Sequence, residues 1–279
     1  MHRRLLAPGV ALVLAMGCSS PADAATRADC DRQYTPQRGQ SGKDVIWVPT
    51  GDVVVARMLE LADVRSADNV YDLGAGDGKI VIAAAKRFGA RAVGIEYDAN
   101  LASYAQCLVE AEGVSDRVEI VQGDIFETDF RDATVVTLYL LPELNLRLRP
   151  TLLDMKPGTR VVSYSFTMGD WEPDDYAETD EGLAYLWTVP AKVDGVWTFE
   201  PRAADEPFDV RFEQTFQNLE GSAAGTRLAG KLNGRTIDFV FVLEGAGPVR
   251  FNGTVDGDRI SGTVTRDGDG VDYIGTRTN

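Results

Sequence analysis

From about residue 45 to residue 164, short apolar runs alternate with stretches in which apolar residues recur every three or four positions. The runs Asn69–Leu73, Ala92–Glu96, Val118–Gln122, Ala133–Tyr139 and Thr159–Tyr164 read as strands. Helical spacing covers Val53, Val54, Met58, Leu59 and Leu61, then 79–88, Leu101–Glu112 and Leu144–Leu153. The run from Ala133 to Tyr139 is β-branched and nearly all apolar, as a strand buried on both faces of a parallel sheet must be. Such alternation predicts an α/β, doubly wound, Rossmann-like sheet.

The pattern changes near Ala184. From Tyr185-Leu186-Trp187 onward no helical period survives, and short alternating strands are separated by Gly, Asp and Asn turns. Seven strands are predicted: Val196–Phe199, Phe208–Phe216, Gly225–Leu232, Arg235–Leu243, Val249–Val255, Arg259–Thr265 and Asp272–Arg277. Asn233-Gly234 and Asp256-Gly257-Asp258 are hairpin turns. A C-terminal all-β meander follows, a small sandwich or barrel. Trp187, Trp197, Phe199, Phe208, Phe212 and Phe216 fall mostly at even spacing, which assigns them to its core. The expected organisation is a leader over 1–24, a linker over 25–43 without periodicity, a first domain over 44–184 and the β-rich domain over 185–279.

The 279 residues are 44% apolar and 25% charged, ordinary values for a globular chain. The net charge of −15 argues against nucleic acid as a partner, since phosphate binding needs a cationic surface. At the N-terminus, His2-Arg3-Arg4 and the apolar stretch Leu5–Met16 have the form of an export leader. Two processing routes fit it. Ala15-Met16-Gly17-Cys18 is similar to a lipobox, with lipid anchorage at Cys18, and Ala22-Asp23-Ala24 suits a cleavage site. Either route places the protein in the bacterial periplasm or on the cell envelope. Cys30 and Cys107 then remain, either as a disulfide or as two unpaired thiols, and no metal site can be built from them. The sole histidine is His2, inside the leader. Histidine-based triads, dyads and metal ligation are thereby excluded from a mature chain.

One segment carries the chemistry. The strand Val70-Tyr71-Asp72-Leu73 runs into Gly74-Ala75-Gly76-Asp77-Gly78, and a helix follows. Glycines at 74, 76 and 78 permit positive φ and a close approach to a ligand. The helix start adds free N–H groups. Eighteen residues past Gly78 the next strand ends on Glu96, placed to accept from both hydroxyls of a ribose. The spacing is G-x-G-x-G and not the G-x-G-x-x-G of dinucleotide enzymes, and Asp77 inside the loop would repel a pyrophosphate. Both features point to a cofactor with a positive centre, S-adenosyl-L-methionine.

The segment resembles motif I of the class I S-adenosylmethionine-dependent methyltransferases. The resemblance implies that Asp72 lies near the methionine ammonium, that Gly74, Ala75, Gly76, Asp77 and Gly78 form the cofactor loop, and that Glu96 holds the ribose. It extends through Val118–Phe126, which implies that Asp124 accepts from the adenine amino group and that Ile125 packs on the ring. Thr137–Asn145 occupies the motif IV position, and with Trp47-Val48-Pro49-Thr50 it resembles the branch holding Dot1-type and related protein-lysine methyltransferases. Leu140-Leu141-Pro142-Glu143 departs from the N-P-P-Y or D-P-P-Y signature, so the acceptor is read as a protein lysine or another amine. Tyr139 and Glu143 are the candidates to line its channel, against the plainer roles of sheet cap and helix cap. Asp170-Trp171-Glu172-Pro173-Asp174 reads as a pocket rim or a solvated loop. The expected function is methyl transfer. The alternative is an exported, non-catalytic protein that binds S-adenosylmethionine, S-adenosylhomocysteine or a partner.

Overall fold

The computed structural model describes residues 25–278 except 204, 246 and 267. The proposed leader, with Cys18, lies outside the described residues. Seven strands form the first sheet: β1 (Asn69–Leu73), β2 (Arg91–Glu96), β3 (Val118–Gln122), β4 (Val135–Leu138), β5 (Arg160–Tyr164), β6 (Asp175–Thr179) and β7 (Gly182–Thr188). Their order is β3-β2-β1-β4-β5-β7-β6. The first five are parallel, and β7 runs antiparallel to β5 and to β6. Helices α2 (Asp52–Leu61), α3 (Lys79–Phe88) and α4 (Ala99–Ala111) share one hydrophobic core with the sheet. Leu148 and Leu152 of α5 (Pro142–Leu153) pack into a second core with Trp171 and Trp187. All four residues of β4 are buried, which is why its apolar run shows no alternation. Gly89 ends α3 at φ 71°, its N–H closing on Ala85 O, and Lys86 and Arg87 sit in the last turn beside the negative end of the helix.

The first domain does not stop at residue 184. Tyr185-Leu186-Trp187 lies in β7 and pairs with β5, so the β6–β7 hairpin completes the first sheet and the seam falls between Thr188 and Gly195. An antiparallel hairpin has the same period as a meander, and the two cannot be told apart by alternation. The linker reading of 25–43 also needs correction. Helix α1 (Arg27–Gln33) opens on a reciprocal cap between Thr26 and Asp29, and Cys30 forms a disulfide with Cys107 of α4.

The C-terminal domain is a closed antiparallel barrel of eight strands, β8 (Gly195–Pro201), β9 (Phe208–Thr215), β10 (Asn218–Ala223), β11 (Thr226–Asn233), β12 (Thr236–Leu243), β13 (Gly247–Asp256), β14 (Arg259–Arg266) and β15 (Asp269–Thr278). The strand absent from the seven expected is β10. The turn before it uses Phe216 at φ 54°, where Asn or Gly would have marked it, and the turn after it, Ala224-Gly225, was absorbed into the start of the next expected strand. Trp197, Phe199, Phe208, Phe212, Phe239, Phe251 and Tyr273 fill the interior. A Cβ on Gly275 would stand 2.7 Å from the Phe199 ring, so that strand comes close to the ring only because it carries glycine there. Closure leaves no free sheet edge.

The barrel meets the first domain at the end away from the carboxyl ends of the parallel strands. Ala191 N–H donates to Gly234 O, and Gly234 lies against Gly158, just before β5. Phe216 stacks on Trp171 at 6.1 Å, and the Gln217 amide donates to Glu172 O. Trp171 is fully buried, with Trp187 Nε1 donating to its carbonyl at 2.8 Å. The segment 170–174 is therefore part of this seam, where Glu172, Pro173 and Asp174 border a cleft with the barrel, and it does not border the cavity at the carboxyl ends of the strands.

Candidate active site

The carboxyl ends of β1, β2, β3 and β4 open into one cavity of about 280 Å³. It lies where the strand order reverses between β1 and β4, the crevice in which open α/β sheets bind ligands. Gly74, Gly76 and Gly78 have φ of 84°, 57° and 75°, and Gly78 starts α3 directly behind the loop. Gly74 and Ala75 N–H both donate to Ile95 O, which pins the turn to β2. A Cβ on Gly76 would reach 2.6 Å from Trp47 Nε1, so glycine is needed for closeness as well as for φ.

Six carboxylates line the cavity, Asp44, Asp72, Asp77, Glu96, Asp98 and Asp124, and the four singled out in the sequence, Asp72, Asp77, Glu96 and Asp124, are all among them. Asp72 is 3% exposed, and Thr137 Oγ1 donates to its Oδ1 at 2.7 Å. Burial pushes its carboxyl up to about 7; the Thr137 hydrogen bond opposes the rise, and nearby Asp77 and Glu96 add to it. Among the described residues no donor is bonded to its second oxygen. Glu96 ties the loop to the end of β2, with Oε2 accepting from Gly76 N–H and Oε1 from Asp98 N–H, each at 2.9 Å. Burial raises its carboxyl and that of Asp77, the latter countered by Lys79. Asp124 is held below the usual range by Lys43, whose ammonium pairs with Oδ2, while Phe126 N–H donates to Oδ1. Ile125 lines the cavity beside it. The arrangement offers glycine backbone and acceptors, the opposite of a pyrophosphate cradle, and suits a ligand rich in N–H, O–H and positive charge.

The same cavity has an apolar lining of Tyr139, Leu140, Leu141, Leu144 and Phe166. The Tyr139 ring lies 4.7 Å from that of Tyr164 and 6.4 Å from that of Phe166, and burial raises its hydroxyl pKa. Glu143 does not join this group. With Leu141 at the N-cap and Pro142 opening α5, Glu143 stands exposed in the first turn; among the described residues it makes no capping hydrogen bond, and only its charge faces the positive helix end.

Three contributors escaped sequence reasoning. Thr137 is the register partner of Asp72 on the neighbouring strand, and a buried acid in mid-sheet was the signal that such a donor must exist. Gln40 to Lys43 reach the cavity from the stretch read as linker, joining the Trp47-Val48-Pro49-Thr50 segment that the resemblance had marked. Phe166 follows β5, where nothing local marks it.

Comparison with known proteins covers this first domain. The family described as ANTKMT methyltransferase domain matches residues 72–175. A protein-lysine N-methyltransferase of Saccharolobus islandicus is 46% identical over 151 residues, 52% of this chain and 94% of that protein. The adenine nucleotide translocase lysine N-methyltransferase of Mus musculus is 32% identical over 119 residues, 42% of this chain and 51% of its own length. A crystal structure described as an RNA methyltransferase from Salinibacter ruber, in complex with S-adenosyl-L-homocysteine, is 51% identical, with a TM-score of 0.52 over 57% of this chain and 100% of that one.

Proposed function

This chain belongs to the class I S-adenosylmethionine-dependent methyltransferases, and from that premise we propose that its acceptor is the ε-amine of a lysine in a protein. Membership makes it an enzyme, and the non-catalytic reading gains no support. The side chains present fit the cofactor. In this reading Asp72 receives the methionine ammonium on its open oxygen, Glu96 the ribose hydroxyls and Asp124 the adenine amino group, with Ile125 against the ring. Bound there, the cofactor supplies an electrophilic methyl group on a sulfonium.

The observation that carries the acceptor is the apolar group Tyr139, Leu140, Leu141 and Phe166 lining the same cavity as the carboxylates. A lysine amine has a pKa near 10.4 in water and must be neutral to attack. Enclosure by that group disfavours the ammonium and releases the lone pair. Positioning then accounts for most of the rate, since an in-line displacement needs alignment more than acid or base. The names of the two lysine methyltransferases above support the same acceptor. An RNA acceptor, suggested by the name of the Salinibacter ruber protein, is disfavoured by the charge of −15.

Incubating a lysate with the enzyme and methyl-labelled cofactor tests this. Label is expected in protein, on lysine after hydrolysis, and abolished by prior acetylation of the lysate amines, which ties up the lone pair in an amide. Label that survives protease and is lost to ribonuclease would sink the lysine assignment.

Thr137 gives a second test. Its hydrogen bond favours the ionised form of Asp72, so Thr137→Val should move the pH at which cofactor binding is half lost upward. A charge-assisted bond of this kind predicts roughly tenfold weaker binding at pH 7, largely recovered at pH 9. An unchanged pH profile by calorimetry would remove Thr137 from the site.

A further inference from the structure

The roof of the cavity is covalently stapled at its root. Within α1 the only buried residue is Cys30, and a seven-residue helix is too short to persist without tertiary support. Its root is held on α4 by the Cys30–Cys107 bond, by Tyr104 OH donating to Asp31 at 2.7 Å and by the edge-on contact of Tyr34 with Tyr104. From there a relay leads to the cavity. Gln40 Nε2 donates to Tyr34 OH, and the hairpin 39–47 closes through Gly39 N–H to Trp47 O and Trp47 N–H to Gln40 O. At its tip Lys43 pairs with Asp124 and lies 5.1 Å from the centre of the Tyr97 ring. Beyond it Thr50 O accepts from Lys79 Nζ at 2.9 Å.

We propose that residues 39–50 are a cofactor lid, latched at the tip by Lys43 on Asp124 and anchored at the root by Cys30–Cys107, so that the redox state of this pair sets how tightly the cofactor is held. The inference rests on the cofactor and not on the acceptor. Both Asp124 oxygens are engaged in the closed lid, so the tip contact must open or be shared when an adenine amino group arrives. The root does not move while the disulfide stands. Reduction by a dithiol breaks the Sγ–Sγ bond; the dithiol gives up two electrons and two protons, becomes a disulfide itself, and leaves Cys30 and Cys107 as thiols. The root then keeps only non-covalent ties, the Tyr104–Asp31 hydrogen bond, the Tyr34–Tyr104 contact and the packing of Cys30 and Tyr34 on the core, and the open lid gains freedom that cofactor binding must remove.

Calorimetry with adenosylhomocysteine, before and after dithiothreitol, reads this directly. The oxidised chain is expected to bind roughly tenfold more tightly than the reduced one. The Cys30→Ser/Cys107→Ser double variant should match the reduced chain and ignore dithiothreitol. Limited proteolysis of the unmodified chain supplies a reading that needs no variant: cleavage between residues 35 and 50 should speed up on reduction and slow again with cofactor. Equal affinities in the two states, with thiol titration confirming reduction, overturn the lid alone. Unchanged proteolysis overturns it too. No binding in either state overturns it together with the cofactor site.

Discussion

Asp72→Asn is expected to weaken cofactor binding by roughly three orders of magnitude while making the cofactor-free protein more stable at pH 8. The two effects share one cause. In the folded chain Asp72 is buried with a single donor, Thr137, and its carboxyl is pushed up to about 7 from 3.8. Between those values the folded state holds a proton that the unfolded state has released. Stability contributed by this group is therefore present at low pH and lost as pH rises towards 7, so the ionised carboxylate destabilises the empty fold by on the order of 4 kcal/mol above that point. Asparagine keeps the acceptor for Thr137 and removes the charge. Thermal unfolding should show the variant gaining most at pH 8 and less at pH 5.

Binding reverses the balance. An ammonium at the open oxygen favours the carboxylate, so near pH 6 cofactor binding should release close to one proton, and at pH 9 almost none. Calorimetry in buffers of different ionisation enthalpy measures that number. Between pH 7 and pH 5 affinity should fall about tenfold per pH unit. Methylthioadenosine, which lacks the amino acid portion, supplies the control, since it should bind Asp72→Asn and the unmodified chain alike. Equal loss for both ligands would mean that Asp72 supports the loop and does not meet an ammonium.

The structure brings Asp72, Asp77, Glu96 and Asp124 into one cavity, as their positions at or just past strand ends and in the glycine loop led one to expect, and the glycines were legible because positive φ and closeness favour no other residue. β4 and β5 were legible because burial on both faces of a parallel sheet leaves an apolar run, while the half-exposed edge strand β3 was legible from its place directly after a helical stretch. What escaped depends on partners distant in sequence. Thr137 is one of two threonines in β4 and its neighbouring turn until the register sets it beside Asp72. Helix α1 has no period to detect, because its fixation is a bond to residue 107. The β6–β7 hairpin alternates as the barrel does, and only its pairing with β5 assigns it to the first sheet. Glu143 was misplaced by one step of geometry: Pro142 starts the helix, and the next side chain faces solvent.

Glu96→Ala is the other substitution with a large expected consequence, a loss of cofactor affinity of roughly a hundredfold or more. Two contributions add. The carboxylate accepts from Gly76 N–H and Asp98 N–H, and without it both backbone donors lose their partner; each such loss costs about 1–3 kcal/mol, part of it recovered by water. The rest is the lost acceptor for two ribose hydroxyls. A cofactor analogue lacking those hydroxyls separates the two contributions. The unmodified chain should discriminate strongly between ribose and dideoxyribose forms of adenosylhomocysteine, and Glu96→Ala should bind both equally poorly. Glu96→Gln should fall between, since one amide oxygen can still accept while the amide nitrogen faces a backbone N–H. If Glu96→Ala discriminates between the sugars as well as the unmodified chain does, Glu96 only shapes the loop, and the ribose must be held by another residue on the cavity wall.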